Sequence, residues 1–379
     1  MSRKIINPFV TSGYISPKYF CDRKAETSKL LKAISSIRNV TLISLRRMGK
    51  TGLLKHVKYL TEKDSPARSV IYADLMPTMS GIEMLNTLAS ALLRIKHNEK
   101  NFFEKVLSLL ASLRPRLTYD NLTGQPSVDL KVESPEEIQY GLEHLLNFIS
   151  GIKKDLVFML DEFQQISNYP EKNIEQILRS VIQSNPQIPF IFSGSNKHML
   201  ESMFAMASRP FYQSTEIMYL DHIGADDYKS FIQNHFETSD KKITEECIFK
   251  IFEWTRLHTF YVQHVCSRLY ETNIKNIDLK LLKEIFYQII SANEPMYLNY
   301  RNLLPQQQFR LLKALAAEEC VQQPTAGYFI RKHNLNSASS VNTSLKALSD
   351  KEMIVRLSDS WQVYDVFFSR WLAYNYGTG

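Results

Sequence analysis

Over the first 220 or so positions, short apolar runs alternate with stretches in which apolar residues recur every three to four places. This predicts strands interleaved with helices. The strand candidates begin at Val40, Ser69, Asp155 and Ile188. Leu156 to Leu160 is apolar without a break, as in a strand buried on both faces of a parallel sheet. Helical periods appear at Leu30, Leu31 and Ile34, at Leu53, Leu54 and Val57, at Ile82, Leu85, Leu88 and Leu92, and over 101–113. Ser134-Pro135-Glu136-Glu137 is a capping box with proline at the first helical position, opening a helix to about Ile149. Arg116 to Val132 alternates around Asn121-Leu122-Thr123-Gly124-Gln125-Pro126 and predicts an inserted β-hairpin.

From about Asp221 strand patterns disappear and helical periods take over through Tyr228, Phe231, Ile232, Ile248, Ile251, Phe252, Tyr261, Val265 and Leu269. The last segment has its own order. Helices are expected at Gln306–Ala317, Ala326–His333 and Ser339–Leu348, followed by a hairpin from Met353 to Tyr364 turning at Ser358-Asp359-Ser360, the pattern of a winged helix. The expected division is therefore a core over 1–220, a helical lid over 221–300 and a winged-helix domain over 301–379.

Two strand ends carry chemistry. Val40-Thr41-Leu42-Ile43 runs into Ser44-Leu45-Arg46-Arg47-Met48-Gly49-Lys50-Thr51-Gly52, and the helical pattern resumes at Leu53. Strand, tight turn with Gly-Lys-Thr, and helix in that order read as a phosphate loop. In such a loop backbone N–H groups at the helix start point at phosphate oxygens, Lys50 would add a positive charge, and the Thr51 hydroxyl can ligate Mg²⁺. Ser44 stands where the usual pattern has its first glycine. The second strand end is Asp161-Glu162 after Leu156–Leu160, a Walker B pattern. Asp161 would hold Mg²⁺ opposite Thr51, and Glu162 would polarise the attacking water. Asp74 ends the strand from Ser69 and is either a site acid or a turn residue.

Around these motifs stand Asn7-Pro8-Phe9, then Phe20, Arg23 and Glu26 at Phe-x-x-Arg-x-x-Glu spacing, Arg46-Arg47-x-Gly49-Lys50-Thr51, Asp161-Glu162-Phe163-Gln164, and the closing run Tyr364 to Leu372. The set resembles the archaeal-type P-loop ATPases, a STAND-related branch of the AAA+ class, over nearly the whole chain. The resemblance implies an α/β P-loop NTPase with a parallel-sheet core, a helical lid and a C-terminal winged-helix domain. It also implies an ATP contact through Phe20, Arg23, Arg46, Arg47, Met48, Gly49, Lys50, Thr51 and Gly52. In the AAA+ layout Ser193, Ser195 and Asn196 are candidates for the sensor that meets the γ-phosphate. Arg209 stands where an arginine finger serving a neighbouring subunit can lie, although a surface arginine before a proline reads the same way. The lid contact maps to Arg256–Gln263, with His258 as candidate, but this segment has neither the glycine nor the proline of the family pattern.

Composition changes this picture little. The chain has 379 residues, is 44% hydrophobic, and has a net charge of +7, which permits nucleic acid without demanding it. No apolar run approaches the length of a membrane span and no secretory segment follows Met1, so a cytoplasmic location without membrane attachment is expected. Cys21, Cys247, Cys266 and Cys320 have no metal-ligand spacing. The expected function is Mg²⁺-dependent ATP binding and hydrolysis. Lys50, Asp161, Glu162, Ser193 and Arg209 are the catalytic set, and Thr51 and Asp161 the metal ligands. The hydrolysis would serve double-stranded DNA, through Ser339, Ser340, Asn342, Thr343, Ser344 and Lys346 with Arg331, Lys332 and His333 for phosphates. Alternatively, it would serve a switch acting on a protein partner or a second copy of the chain, with no direct DNA contact.

Overall fold

The structure is a computed structural model that describes residues 7–95, 108, 111–119, 124, 126–131, 134–151 and 155–377. The chain divides into two compact units, Ser12–Ile223 and Gly224–Gly379 with Met1–Thr11.

The first unit is organised by a sheet. Its strands are β1 (Val40–Ile43), β2 (Ser69–Asp74), β5 (Leu156–Asp161), β6 (Phe190–Gly194) and β7 (Glu216–Tyr219), between which β3 (Arg116–Tyr119) and β4 (Pro126–Asp129) form a separate hairpin. The sheet order is β2-β5-β6-β1-β7 and all its pairings are parallel. Alternate residues feed two cores, as the pleat requires. Val157 and Met159 face Leu30, Ile34, Leu53, Leu54 and Val57 of helices α1 (Lys24–Ser35) and α2 (Lys50–Asp64). Phe158 and Leu160 face the other way, with Leu85, Leu88 and Leu92 of α3 (Gly81–Leu93). Both faces are covered, which accounts for the unbroken apolar run in β5. The edge strand β7 goes beyond the expected strands. It has four residues, its burial is partial, and its pattern is too short to stand out.

The hairpin is an antiparallel pair in which Leu117 opposes Val128. It docks on α3 through Val128 N–H to Ser90 Oγ at 2.9 Å and Leu130 N–H to Asn86 Oδ1 at 3.0 Å. The tip at 120–123 and 125 lies outside the described residues, as does most of the helix expected over 101–113. The capping box is present, with Glu137 N–H donating to Ser134 Oγ at 3.3 Å, and its helix spans Pro135–Gly151.

The second unit holds helices Ala225–Glu237, Glu245–Thr255, Thr259–Glu271 and Leu279–Leu303. Strands do not vanish entirely here: β8 (Lys242–Ile243) and β9 (Asn276–Ile277) make a short parallel pair. The expected boundary at 300 falls inside the helix Leu279–Leu303. Beyond it come helices Gln306–Glu318, Gly327–Lys332 and Ala338–Asp350, the antiparallel pair β10 (Ile354–Leu357) and β11 (Ser360–Val363), and a closing helix Val366–Tyr376. This is a winged helix. Its core gathers Leu312, Leu315, Val341, Leu348, Ile354, Val363 and Phe368, all buried.

Two half-buried arginines brace that domain to the helices before it. Arg256 donates to Val363 O at 2.9 Å and Ser369 Oγ at 2.8 Å. Arg370 donates to Trp254 O at 2.9 Å and Glu253 O at 3.0 Å and pairs with Glu319. Burial lowers the pKa of both, that of Arg370 to about 10.

Candidate functional site

The parallel register explains where the chemistry gathers. Strands β1, β5 and β6 all end at one edge, and the turn after β1 leads straight into α2. Gly49 caps α2 with a φ of 94°, a conformation glycine adopts freely. The other left-handed residue of the loop is Arg47 at 62°, and Ser44 is not left-handed. Serine therefore fits where the usual pattern has glycine. Its hydroxyl donates to Leu45 O at 2.8 Å, inside the turn.

Lys50 is 4% exposed. Its Nζ lies 3.4 Å from Leu45 O and 4.0 Å from Glu162 Oε1. Burial lowers the pKa of this ammonium, against the opposite pull of Glu162 and Asp161. Next to it, Thr51 Oγ1 donates to Asp161 Oδ2 at 2.7 Å, and Tyr72 OH donates to the same oxygen at 2.9 Å. Ser193 Oγ donates to Asp161 Oδ1. Asp161 is thus the hub where β2, β5, β6 and α2 meet. A hydroxyl and a carboxylate this close, beside a buried lysine and a helix N-terminus, suit a divalent cation with a polyphosphate.

Glu162 follows in the left-handed region, φ 53°, which turns its carboxylate toward β6. Its Oε2 accepts from Gln164 Nε2 at 2.6 Å, from Ser195 Oγ at 2.7 Å and from Ser195 N–H at 3.2 Å. The three sensor candidates are therefore divided. Ser193 holds Asp161, Ser195 holds Glu162, and Asn196 caps the helix Lys197–Ala205 by accepting from Met199 N–H at 3.1 Å.

The remaining expected residues separate into contacts of different kinds. Phe20 packs against the first turn of α2, 3.6 Å from where a Cβ on Gly52 would stand, and stacks on His56 at 4.3 Å. Arg23 is 3% exposed and is spent on scaffolding: it donates to Met48 O at 3.1 Å and Asp221 O at 2.5 Å and pairs with Glu26 at 3.0 Å. The Met48 side chain is buried in the core under α1 and α2, whereas Arg46 and Arg47 are exposed on the loop. Arg209 is not brought to this cluster. Its guanidinium pairs with Glu175 and reaches Ser167 Oγ at 3.5 Å on its own chain. His258 belongs to the second unit, where it stands at the N-terminal boundary of the helix Thr259–Glu271 and packs its ring on Tyr261 at 4.8 Å. Asp74 pairs in register with Asp161 and accepts from Met76 N–H at 2.9 Å; burial first, then Asp161 and Glu162, raises its pKa.

Three contributions escape sequence reasoning. Tyr72 lies two places before Asp74 on the same strand face, a period-two signal that points its hydroxyl to the site once the β2–β5 register is known. Gln164 stands out in the sequence only as part of a run. Asn7-Pro8-Phe9 is a tether: Asn7 Nδ2 donates to Ser267 Oγ at 2.8 Å and Glu271 Oε1 at 3.0 Å, and Phe9 is buried among Phe231, Phe236 and Tyr270.

On the winged helix, Ser339, Asn342, Thr343 and Lys346 are exposed on the helix Ala338–Asp350. Ser344 is not; it faces the core at 6% exposure, one turn from Val341 and Leu348. Ser340 donates to Gln307 Oε1 at 2.6 Å. Lys332 and His333 both pair with Glu318, at 2.5 and 3.0 Å. Among the described residues no helix is long and apolar enough to cross a membrane, and no cluster of His, Cys, Asp and Glu forms a metal site.

Comparison with known proteins agrees with this architecture. Residues 295–374 match the model of a probable winged helix domain. No curated protein matches the chain. Among solved structures, a Walker-type ATPase of Pyrococcus abyssi is similar at 17% identity, with 96% of this chain and 99% of that one covered and a TM-score of 0.66. The Aeropyrum pernix ORC2 protein, in ADPNP–ADP complexes, is similar at 14% identity, 96% and 95% coverage and a TM-score of 0.59. The ORC1 protein of the same organism, in complex with DNA, follows at 11% identity, 95% and 94% coverage and a TM-score of 0.51. The chain has the fold of these P-loop ATPases of the AAA+ type: a parallel α/β core, further helices and a C-terminal winged helix.

Proposed function

We propose that this chain binds ATP with Mg²⁺ at the turn after β1 and hydrolyses it, and that the winged helix couples this cycle to double-stranded DNA. The observation that carries the ATP reading is the meeting of Thr51, Asp161 and buried Lys50 at the start of α2. Thr51 and Asp161 would hold Mg²⁺, which would supply neutralisation of the charge that develops on the phosphates. Lys50 and the N–H groups of the first turn of α2 would bind the phosphates. Glu162 would take a proton from the attacking water, and Ser193 would fix Asp161. Phosphoryl transfer asks mainly for positioning and charge stabilisation, which these groups supply. Phe20 would flank the nucleotide from the side of α2.

The DNA reading is supported by the exposed polar face of Ser339, Asn342, Thr343 and Lys346 on the helix Ala338–Asp350, and by the solved ORC1 protein of similar fold being in complex with DNA. A second reading, a switch acting on a protein partner, is favoured by one observation. Two of the side chains expected to meet phosphates, Lys332 and His333, are engaged by Glu318.

The test is ATP turnover with Mg²⁺ by the wild type, Lys50→Ala and Glu162→Gln, each with and without duplex DNA. Turnover that both variants abolish and DNA raises supports the whole proposal. Turnover indifferent to DNA moves the coupling to a protein partner. A wild type that leaves ATP intact refutes hydrolysis.

A further inference from the structure

Glu162 is held more elaborately than a water-polarising acid requires. Three donors converge on Oε2, and among the described residues Oε1 receives only the 4.0 Å approach of Lys50 Nζ. One donor, Gln164, sits two residues after the acid and is itself 6% exposed. Its amide is oriented by need. Nε2 must face the carboxylate, because a carboxylate only accepts. Oε1 then points at β6, where it is buried with no hydrogen-bond partner. Leaving a buried amide oxygen unpaired is unfavourable, so this side chain keeps its place at the expense of stability.

The backbone of β6 makes room for it. A Cβ built on Gly194 would stand 1.8 Å from Gln164 Oε1 and 2.8 Å from Leu200 Cδ1. Any residue but glycine at 194 would drive the amide off the carboxylate. Gly194 has no positive φ, so its lack of a side chain serves this close approach and not backbone conformation.

We propose that Gln164 is a positioning residue for hydrolysis: with Ser195 it clamps Oε2 of Glu162, so that Oε1 is the oxygen presented to the attacking water beside Lys50. The inference rests on the ATP-hydrolysing reading above. In the step it serves, the water oxygen bonds to the γ-phosphorus and its proton passes to Glu162 Oε1. The bond from phosphorus to the bridging oxygen breaks, and its electron pair leaves with ADP. Gln164 touches none of the reacting atoms. It fixes the rotation of the carboxylate, and a misplacement of about 1 Å at such a group costs on the order of 100-fold in rate.

The experiment measures kcat and the binding of a fluorescent ATP analogue for wild type, Gln164→Ala, Gly194→Ala, Gln164→Ala with Gly194→Ala, and Gln164→Ala in the Glu162→Gln background. Gln164→Ala is expected to lower kcat by about 10- to 100-fold with analogue affinity unchanged. Gly194→Ala, which leaves Gln164 in the chain but displaces it, is expected to match that loss and to lower the melting temperature. The pair should regain part of the melting temperature, because the added methyl then meets Leu200 but no amide, while kcat stays low. With Glu162→Gln already present, removing Gln164 should lower turnover no further. An active wild type whose kcat survives Gln164→Ala overturns the positioning role alone, as does a kcat loss that returns with melting temperature in the pair. A wild type that binds the analogue without turning ATP over overturns the hydrolytic reading and this role with it.

Discussion

Replacing Lys50 with methionine should make the nucleotide-free protein more stable and abolish its response to ATP. The reasoning starts from how poorly the ammonium is served when no phosphate is present. It is 4% exposed, its hydrogen bond to Leu45 O is 3.4 Å long, and Glu162 approaches to 4.0 Å. At an effective dielectric of about 20 that approach is worth about 4 kcal/mol, against a desolvation cost of several kcal/mol. The cost prevails, because burial is the largest influence on this lysine and lowers its pKa. Methionine keeps the unbranched chain and removes the charge. Asp161 retains Thr51, Tyr72 and Ser193, and Glu162 retains Gln164 and Ser195. Lys50→Met should therefore need more urea to unfold than the wild type near neutral pH. With MgATP at about 100 times its Kd the wild type should gain about 2.7 kcal/mol and the variant nothing, reversing their order. The pH dependence follows from the same shift. Between the lowered folded pKa and the ordinary lysine value, the unfolded chain holds more protons than the folded one, so wild-type stability rises with pH there. The advantage of Lys50→Met should accordingly shrink as pH is raised through the folded pKa toward about 10. A nucleotide-free variant less stable than wild type by more than about 1 kcal/mol, or one that MgATP still stabilises, refutes this account.

Three further outcomes are expected. Phe9→Ala empties a site that is 3% exposed among four aromatic neighbours and should lower unfolding free energy by about 3 kcal/mol in urea titrations; a loss under about 1 kcal/mol would refute the tether. Arg209→Ala leaves Glu175, whose pKa burial already raises, without its guanidinium, and should cost about 1–2 kcal/mol with kcat retained; a fall in kcat without a stability loss would return Arg209 to a role at a neighbouring subunit's site. Lys346→Ala should weaken duplex DNA binding and reduce the slope of log affinity against log salt by about 1, and an unchanged slope would remove this helix from the interface.

The sheet is legible in the sequence because both its faces are covered. β5 carries no polar residue before Asp161, and an apolar run of that length, too short for a buried helix and closed by two acids, fits a central strand that delivers both to the sheet edge. The phosphate loop is legible for a related reason: its chemistry is held in consecutive residues. What cannot be read is whatever depends on register. That Tyr72 and Ser193 converge on one carboxylate follows from β2, β5 and β6 being neighbours, and the strand order β2-β5-β6-β1-β7 is nowhere written in consecutive residues. Arg23 and Met48 show the converse. Both stand in positions that the resemblance ties to nucleotide, yet the contacts they make hold the loop's own backbone and core.

Polar residues on helices are the least legible, because exposure and partnership are set by packing and not by residue type. Ser339 and Ser344 are chemically alike and lie on one helix, but Ser344 shares its side with Val341 and Leu348, while Ser339 is exposed. Lys332 and His333 look available for phosphates in sequence, and the glutamate that engages both, Glu318, ends the preceding helix Gln306–Glu318. Arg256 carries the lesson furthest. It occupies the segment matched to a lid contact that lacks the expected glycine and proline, and its φ of 54° is one that glycine would have adopted without strain. The arginine there reaches Val363 O and Ser369 Oγ with its guanidinium. The departure from the family pattern at Arg256 is thus filled by a brace between the helices and the winged helix of the second unit.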